Sequence, residues 1–164
     1  MEIYDEGNWY KNTAQKPKVI GNLLSTLPEN DCLVFLDADC TIEKYPDLFD
    51  QIPEEYDLGC HWLSWKEWYG HDIDFKELLS GTLFFRNNKK MRDLCADWYT
   101  LAKHSDTWEQ KILGEILEFR NNIKTYDLPL EYIYINTRPG DLQPLVKLDP
   151  VIRHYQMSRT LKRK

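Results

Sequence analysis

Asp37 and Asp39, one residue apart, follow directly on the apolar run Leu33-Val34-Phe35-Leu36. Two carboxylates crowded at the end of a strand repel each other, and each raises the other's pKa unless a cation lies between them. Oxygen ligands of this kind suit Mg²⁺ or Mn²⁺, ions that usually reach a protein together with substrate phosphates. The plainer reading has Asp37 capping the turn after the run and Asp39 facing water. The run itself is short and rich in β-branched and aromatic types, with Asn30 and Asp31 before it. This predicts a central strand covered on both faces. Ligands of open α/β sheets gather beyond the carboxyl ends of such strands, which is where the acidic pair stands.

The chain around this stretch has 164 residues, 42% of them hydrophobic and 29% charged, which fits one domain with a core of its own. The heavy load of Trp, Tyr and Phe can fill a core or stack on sugars and bases. A net charge of −6 argues against a general nucleic-acid binder. Against that balance, Arg153, Arg159, Lys162, Arg163 and Lys164 gather near the end, as a solvated tail or as phosphate contacts. The absence of a long apolar run or a signal-peptide core predicts no membrane span and a cytoplasmic protein. Cys32, Cys40, Cys60 and Cys95 have no metal-binding spacing and are expected as free thiols.

The elements that must position the acidic pair can be read in order. A short strand is expected at Glu2-Ile3-Tyr4, then a polar and aromatic loop from Asn8 to Thr13. Pro17 opens a helix with Val19, Ile20, Leu23, Leu24 and Leu27 on one face, ended by Pro28-Glu29-Asn30. Asp47 to Ile52 is expected to form one helical turn, and 57–61 another strand. The tract from Trp62 to His71 reads either as a flap over a site or as a packed aromatic cluster. Residues 80–85 form a strand whose first residues are small, which would let a ligand approach the backbone. Asn87 and Asn88 open a helix carrying Met91, Leu94, Cys95, Trp98 and Leu101. Ser105 or Asp106 caps the next helix, whose apolar set is Trp108, Ile112, Leu113, Ile116 and Leu117, and Asp106 with Glu109 fits a capping box. The remainder is expected to be extended at 123–126, 132–135 and 151–155, and no repeat or composition shift marks a second domain.

Taken together, these pieces resemble the nucleotide-diphospho-sugar transferases of the GT-A glycosyltransferase fold. Asp37-Ala38-Asp39 looks like the family's Asp-x-Asp motif, and Trp9-Tyr10-Lys11-Asn12-Thr13 with Lys16-Pro17 looks like the segment leading to it. Ser80-Gly81-Thr82-Leu83-Phe84-Phe85 resembles the strand lining the sugar pocket, and Trp108-Glu109-Gln110 the acidic-Gln pair that opens a helix. Leu128-Pro129-Leu130-Glu131-Tyr132 resembles a Leu-Pro-x-x-Tyr segment. The stretch from Val151 to Arg159 looks like the late strand whose histidine completes a metal site.

The resemblance implies an α/β domain over residues 1–164, a mixed sheet flanked by helices, that lacks the first β-α unit of the family. It implies transfer of a sugar from a nucleotide-sugar donor to an acceptor hydroxyl, with Mn²⁺ or Mg²⁺ offsetting charge on the leaving diphosphate. The residues it implies are Asp37, Asp39 and His154 for the metal, with Asp37 also near the ribose. Lys16, Arg153 and Arg159 would meet the phosphates, Ser80 and Gly81 the donor, and Glu109 and Gln110 the sugar as catalytic groups. The acceptor stays open, and a second copy of the chain could cover a sheet edge or apolar face.

Two other readings stand beside this one. The stretch Val34 to Ile42 also resembles the first motif of haloacid-dehalogenase phosphohydrolases, with Asp37 as nucleophile and Asp39 as general acid/base. That family needs a later acidic pair after a buried strand, and no apolar run leads into Asp72 with Asp74 or into Gly140-Asp141. The other reading is a non-catalytic GT-A remnant that binds a sugar or a partner.

Overall fold

The computed structural model describes residues 5–137 and 143–157. The strand expected at Glu2-Ile3-Tyr4, Gly140-Asp141 and the phosphate candidate Arg159 lie outside the described residues. In chain order the elements are α1 (Trp9–Thr13), α2 (Gln15–Leu24), β1 (Cys32–Leu36), β2 (Cys40–Ile42), β3 (Leu58–Ser64), α3 (Trp65–Tyr69) and β4 (Lys76–Arg86). They continue with α4 (Lys89–Lys103), α5 (Glu109–Phe119), β5 (Thr125–Asp127), β6 (Tyr134–Ile135) and β7 (Ile152–His154), with 3₁₀ turns at Asp47–Asp50 and Leu130–Tyr132. One sheet has the order β1-β4-β3-β5 and a second the order β2-β7-β6. The chain forms two compact units: Met1–Val34, Pro53–Gly59 and Phe84–Tyr126 make the first, and Phe35–Ile52, Cys60–Leu83 and Asp127–Lys164 the second.

The buried, continuous strand is β4 rather than β1. Leu78, Leu79, Ser80, Thr82, Leu83, Phe84 and Phe85 are all buried. The β1 residues are only partly so, and β1 ends its sheet among the described residues. The expectation of a central β1 covered on both faces is therefore corrected. A five-residue apolar run carries no mark of edge or centre, whereas the eleven residues of β4 provide pairing length on both sides.

In the first unit, the Pro17, Ile20 and Leu24 face of α2 is buried, and Gly21 faces α4 so closely that a Cβ there would lie 3.1 Å from Cys95 Cβ. A mid-helix glycine costs roughly 1 kcal/mol against alanine; here it permits the close approach. Asn87, 1% exposed, holds the turn after α2 by donating from Nδ2 to the carbonyls of Leu27 and Pro28, both at 2.8 Å. Asn88 caps α4 as expected, accepting from the Met91 N–H at 3.0 Å. Two expectations fail locally. Residues 9–13 are helical because Asn8, extended, accepts from the Tyr10 N–H at 2.9 Å, so a polar stretch that reads as loop holds its own N-cap. Helix α5 begins at Glu109 with Trp108 as its cap residue and no side-chain cap, while Ser105 accepts instead from the Thr107 N–H at 3.2 Å. Between α4 and α5 runs an open groove of about 680 Å³ lined by Leu101, Ile112, Ile116 and Phe119, with Leu101 and Phe119 exposed.

The second unit holds the β2-β7-β6 sheet and an apolar cluster of Leu63, Trp68, Leu79, Ile133 and Ile135. The tract read as flap or packed cluster is packed: Trp62 to Ser64 lie in β3, Trp65 to Tyr69 form α3, and Trp68 is 1% exposed. Trp68 meets Tyr134 edge to face at 5.6 Å, and the Trp65 Nε1–H donates to Glu77 at 3.1 Å. All four cysteines are free, and burial pushes the Cys60 and Cys95 thiols up to about 12.

Asp57 anchors the start of α4 in the first unit. Its carboxylate accepts from Lys90 Nζ at 2.5 Å, Asn88 Nδ2 at 2.8 Å and the Lys124 N–H at 2.9 Å. Burial by itself would raise this carboxyl, but the three hydrogen bonds outweigh it and hold it below the ordinary 3.8. Its contribution to stability is therefore complete above pH 3.8 and disappears as pH falls through the lower folded value. Asp57→Asn should cost stability at neutral pH, and the difference from wild type should shrink in urea unfolding at successively lower pH below 3.8. A difference that stays constant with pH would show that the charge of Asp57 is not what stabilises this corner.

Candidate metal centre

Asp37-Ala38-Asp39 forms the tight turn between β1 and β2, and β7 returns from more than a hundred residues later to pair with β2. The antiparallel register sets Cys40 opposite His154 and Ile42 opposite Ile152. The ladder continues one step, the Tyr155 N–H donating to the Asp39 carbonyl at 2.9 Å. On its other side β7 pairs parallel with β6, Ile135 opposite His154. Alternation along β7 buries Ile152 and His154 on one face and turns Arg153 to the other. This register brings His154 to the acidic turn.

One ligand atom from each of Asp37, Asp39 and His154 lies within 4.8 Å of the others, and His154 is buried while the two carboxylates are half-exposed. Each of the three is held from behind. The Asp37 N–H donates to the Gly81 carbonyl at 2.8 Å. The Asp39 Oδ2 accepts from the Met157 N–H at 2.7 Å, across a turn in which Gln156 adopts a left-handed φ of 49°. His154 Nε2 is 2.8 Å from the Thr82 hydroxyl. A Cβ on Gly81 would lie 2.9 Å from both Nδ1 and Cε1 of His154 and 3.4 Å from Asp37 Oδ2. The small residue in the Ser-Gly-Thr strand thus admits the imidazole and the carboxylate; it is this chain's own ring that approaches the backbone there. Burial, and after it the charges of Asp37 and Asp39, push the neighbouring Cys40 thiol up.

Two carboxylates and one imidazole converging within 4.8 Å, with Asp39 and His154 each oriented by a hydrogen bond from behind, fit a divalent ion such as Mn²⁺ or Mg²⁺ that keeps its other positions for water or phosphate oxygens. A carboxylate pair without such an ion repels itself, and the cradle left by Gly81 has room for the donors only because no side chain is there.

The other residues singled out from sequence fall in two places. In the first unit, Lys16 and Glu109 form an ion pair at 2.6 Å, with side chains 12% and 5% exposed, and Gln110 follows half-buried at the start of α5. The Glu109 carbonyl also accepts from the Trp98 Nε1–H at 2.7 Å. In the second unit, Ser80 is 2% exposed. Arg153 makes a two-pronged contact with Glu43 at 2.5 and 3.0 Å, reaches Asn136 Oδ1 at 3.4 Å, and stacks over Tyr134 with 5.3 Å to the ring centre. Hydrogen bonding to Arg153 holds Glu43 below the usual carboxylate range. Sequence reading missed Glu43, Thr82 and the Met157 N–H, and only the sheet register brings them into play. Among the described residues no helix is long and apolar enough to cross a membrane.

Gly81→Ala tests the cradle directly. Overpacking of this kind should cost about 1–3 kcal/mol, read as a lower midpoint in urea unfolding, because the added carbon meets the imidazole at 2.9 Å. Unchanged stability would show that His154 does not press on this backbone.

No protein-family model and no curated protein sequence matches the chain. Among solved structures, it is similar to the crystal structure of a glycosyltransferase involved in the glycosylation of the major capsid of PBCV-1. The TM-score is 0.64 at 13% sequence identity, over 95% of this chain and 74% of that one. At so low an identity the likeness concerns the fold alone, and that fold is glycosyltransferase-like.

Proposed function

We propose that the chain is a glycosyltransferase domain of GT-A type that moves a sugar from a nucleotide-diphosphate donor to an acceptor hydroxyl, dependent on Mn²⁺ or Mg²⁺. The observation that carries this reading is the convergence of Asp37, Asp39 and His154 within 4.8 Å, from distant parts of the sequence, in a glycosyltransferase-like fold. Asp37, Asp39 and His154 are the residues that would hold the ion. Bound there, the ion supplies Lewis-acid stabilisation to the departing diphosphate.

The chain's own residues supply the rest. The Asp37 backbone, the Asp39 carboxylate and the His154 imidazole are held by Gly81, Met157 and Thr82 respectively, which limits the reorganisation needed when the donor arrives. Glu109 and Gln110 are proposed to position the donor sugar. Lys16 is at present paired with Glu109, and Arg153, on the face of β7 opposite His154, with Glu43.

Thermal-shift measurements on the full chain with a panel of nucleotide sugars, with and without Mn²⁺, test the proposal. A donor at a hundred times its Kd stabilises by about 2.7 kcal/mol, so a shift that requires Mn²⁺ is expected. Asp39→Asn keeps an acceptor for the Met157 N–H but removes the charge, and should abolish the Mn²⁺-dependent shift while leaving the unliganded melting temperature nearly unchanged. An unaltered shift in Asp39→Asn rejects the assigned role. Hydrolysis of a generic phosphomonoester by the wild type, lost in Asp37→Asn, would favour phosphohydrolase chemistry instead.

A further inference from the structure

Which nitrogen of His154 faces the acidic pair is decided by its surroundings. The imidazole is 5% exposed and Thr82 fully buried. Nε2 and the Thr82 hydroxyl oxygen are 2.8 Å apart, a hydrogen bond within the interior. The Nδ1–Cε1 edge of the ring lies against Gly81, and Asp37 Oδ2 approaches the same point at Gly81. The register with β2 and β6 fixes the backbone from which the ring projects, with Cys40 and Ile135 as its two partners.

An imidazole nitrogen binds a cation only through its unprotonated lone pair. If Nδ1 faces the carboxylates as ligand, the ring's single remaining proton belongs on Nε2 and needs an acceptor. In a buried place only a fixed neighbour can provide one. Thr82 is within reach, and its branched side chain has few rotamers in a strand and so offers its oxygen in one position.

We infer that Thr82 is a positioning residue of the proposed metal centre. Its hydroxyl oxygen accepts the Nε2 proton of His154, which selects the tautomer with an unprotonated Nδ1 and makes that nitrogen the metal-binding one. This rests on the metal-dependent reading given above and deepens it. Thr82 touches neither ion nor substrate in this scheme; it acts only through the imidazole. Serine in its place keeps the oxygen, whereas valine keeps the shape and removes the acceptor.

Two measurements on the full 164-residue chain test it. In ¹⁵N spectra of the Mg²⁺-saturated wild type, His154 should carry its proton on Nε2. In Mn²⁺ titration calorimetry, Thr82→Val should bind at least about tenfold more weakly and Thr82→Ser within about threefold of wild type, the range expected for losing or keeping a partner behind a ligating histidine. A proton on Nδ1 in the Mg²⁺-loaded protein overturns the inference, and this spectrum needs no variant to fold. Wild-type Mn²⁺ affinity in a folded Thr82→Val overturns it alone and leaves the metal centre standing. Failure of the wild type to bind either ion overturns both.

Discussion

The pairing of β7 with β2 is the constraint from which the candidate site follows. Three residues of each strand are involved, yet they set His154 opposite Cys40 and continue into Tyr155 against Asp39. Because side chains alternate in a strand, a slip of one residue would turn His154 away and bring Arg153 to the acidic turn. Buried Ile152 opposes such a slip, since it too would exchange faces. Arg153 opposes it from the other side, where Glu43, Asn136 and the Tyr134 ring hold the guanidinium. The histidine is thus positioned by the packing of its strand neighbours.

Around that strand pair, polar groups of all three candidate ligands are engaged from within the protein. Asp39 is gripped by a backbone N–H, His154 by a hydroxyl, and Asp37 through its own N–H. Such satisfaction is required where charges leave water, because an unpaired buried polar group costs more than a made hydrogen bond returns. It also leaves the donor atoms themselves aimed at one another, which is an electrostatically unfavourable arrangement for two carboxylates. The tension between well-held backbones and crowded donors is what makes this place in the second unit different from its other ion pairs, such as Lys44 with Asp149, which is solvent-exposed.

The first unit uses the same physics for stability. Asn87 joins a helix end to the next helix through two carbonyls, and Asp57 gathers three donors at the start of α4. The Lys16–Glu109 pair, nearly buried, is costly to break from one side, because the charge left behind would be uncompensated. A residue in such a pair is a structural member whatever else it does.

Much of this was legible in the residues. Helical spacing located α2, α4 and α5, Asn88 marked the start of α4, and the Asp-x-Asp turn after an apolar run was evident because local chemistry writes turns, caps and faces directly into neighbouring positions. What stayed hidden depends on distant partners: that β4 and not β1 is the buried strand, that Trp108 stands where Asp106 should cap, and that Arg153 already holds Glu43. Asp37, Asp39 and His154 were named from sequence, but their approach to within 4.8 Å of one another, and the parts of Gly81, Thr82 and Met157 behind them, came only from the tertiary structure. The reason is physical: residue type determines what a side chain can donate or accept, while the pairing of strands far apart in the chain decides what it meets.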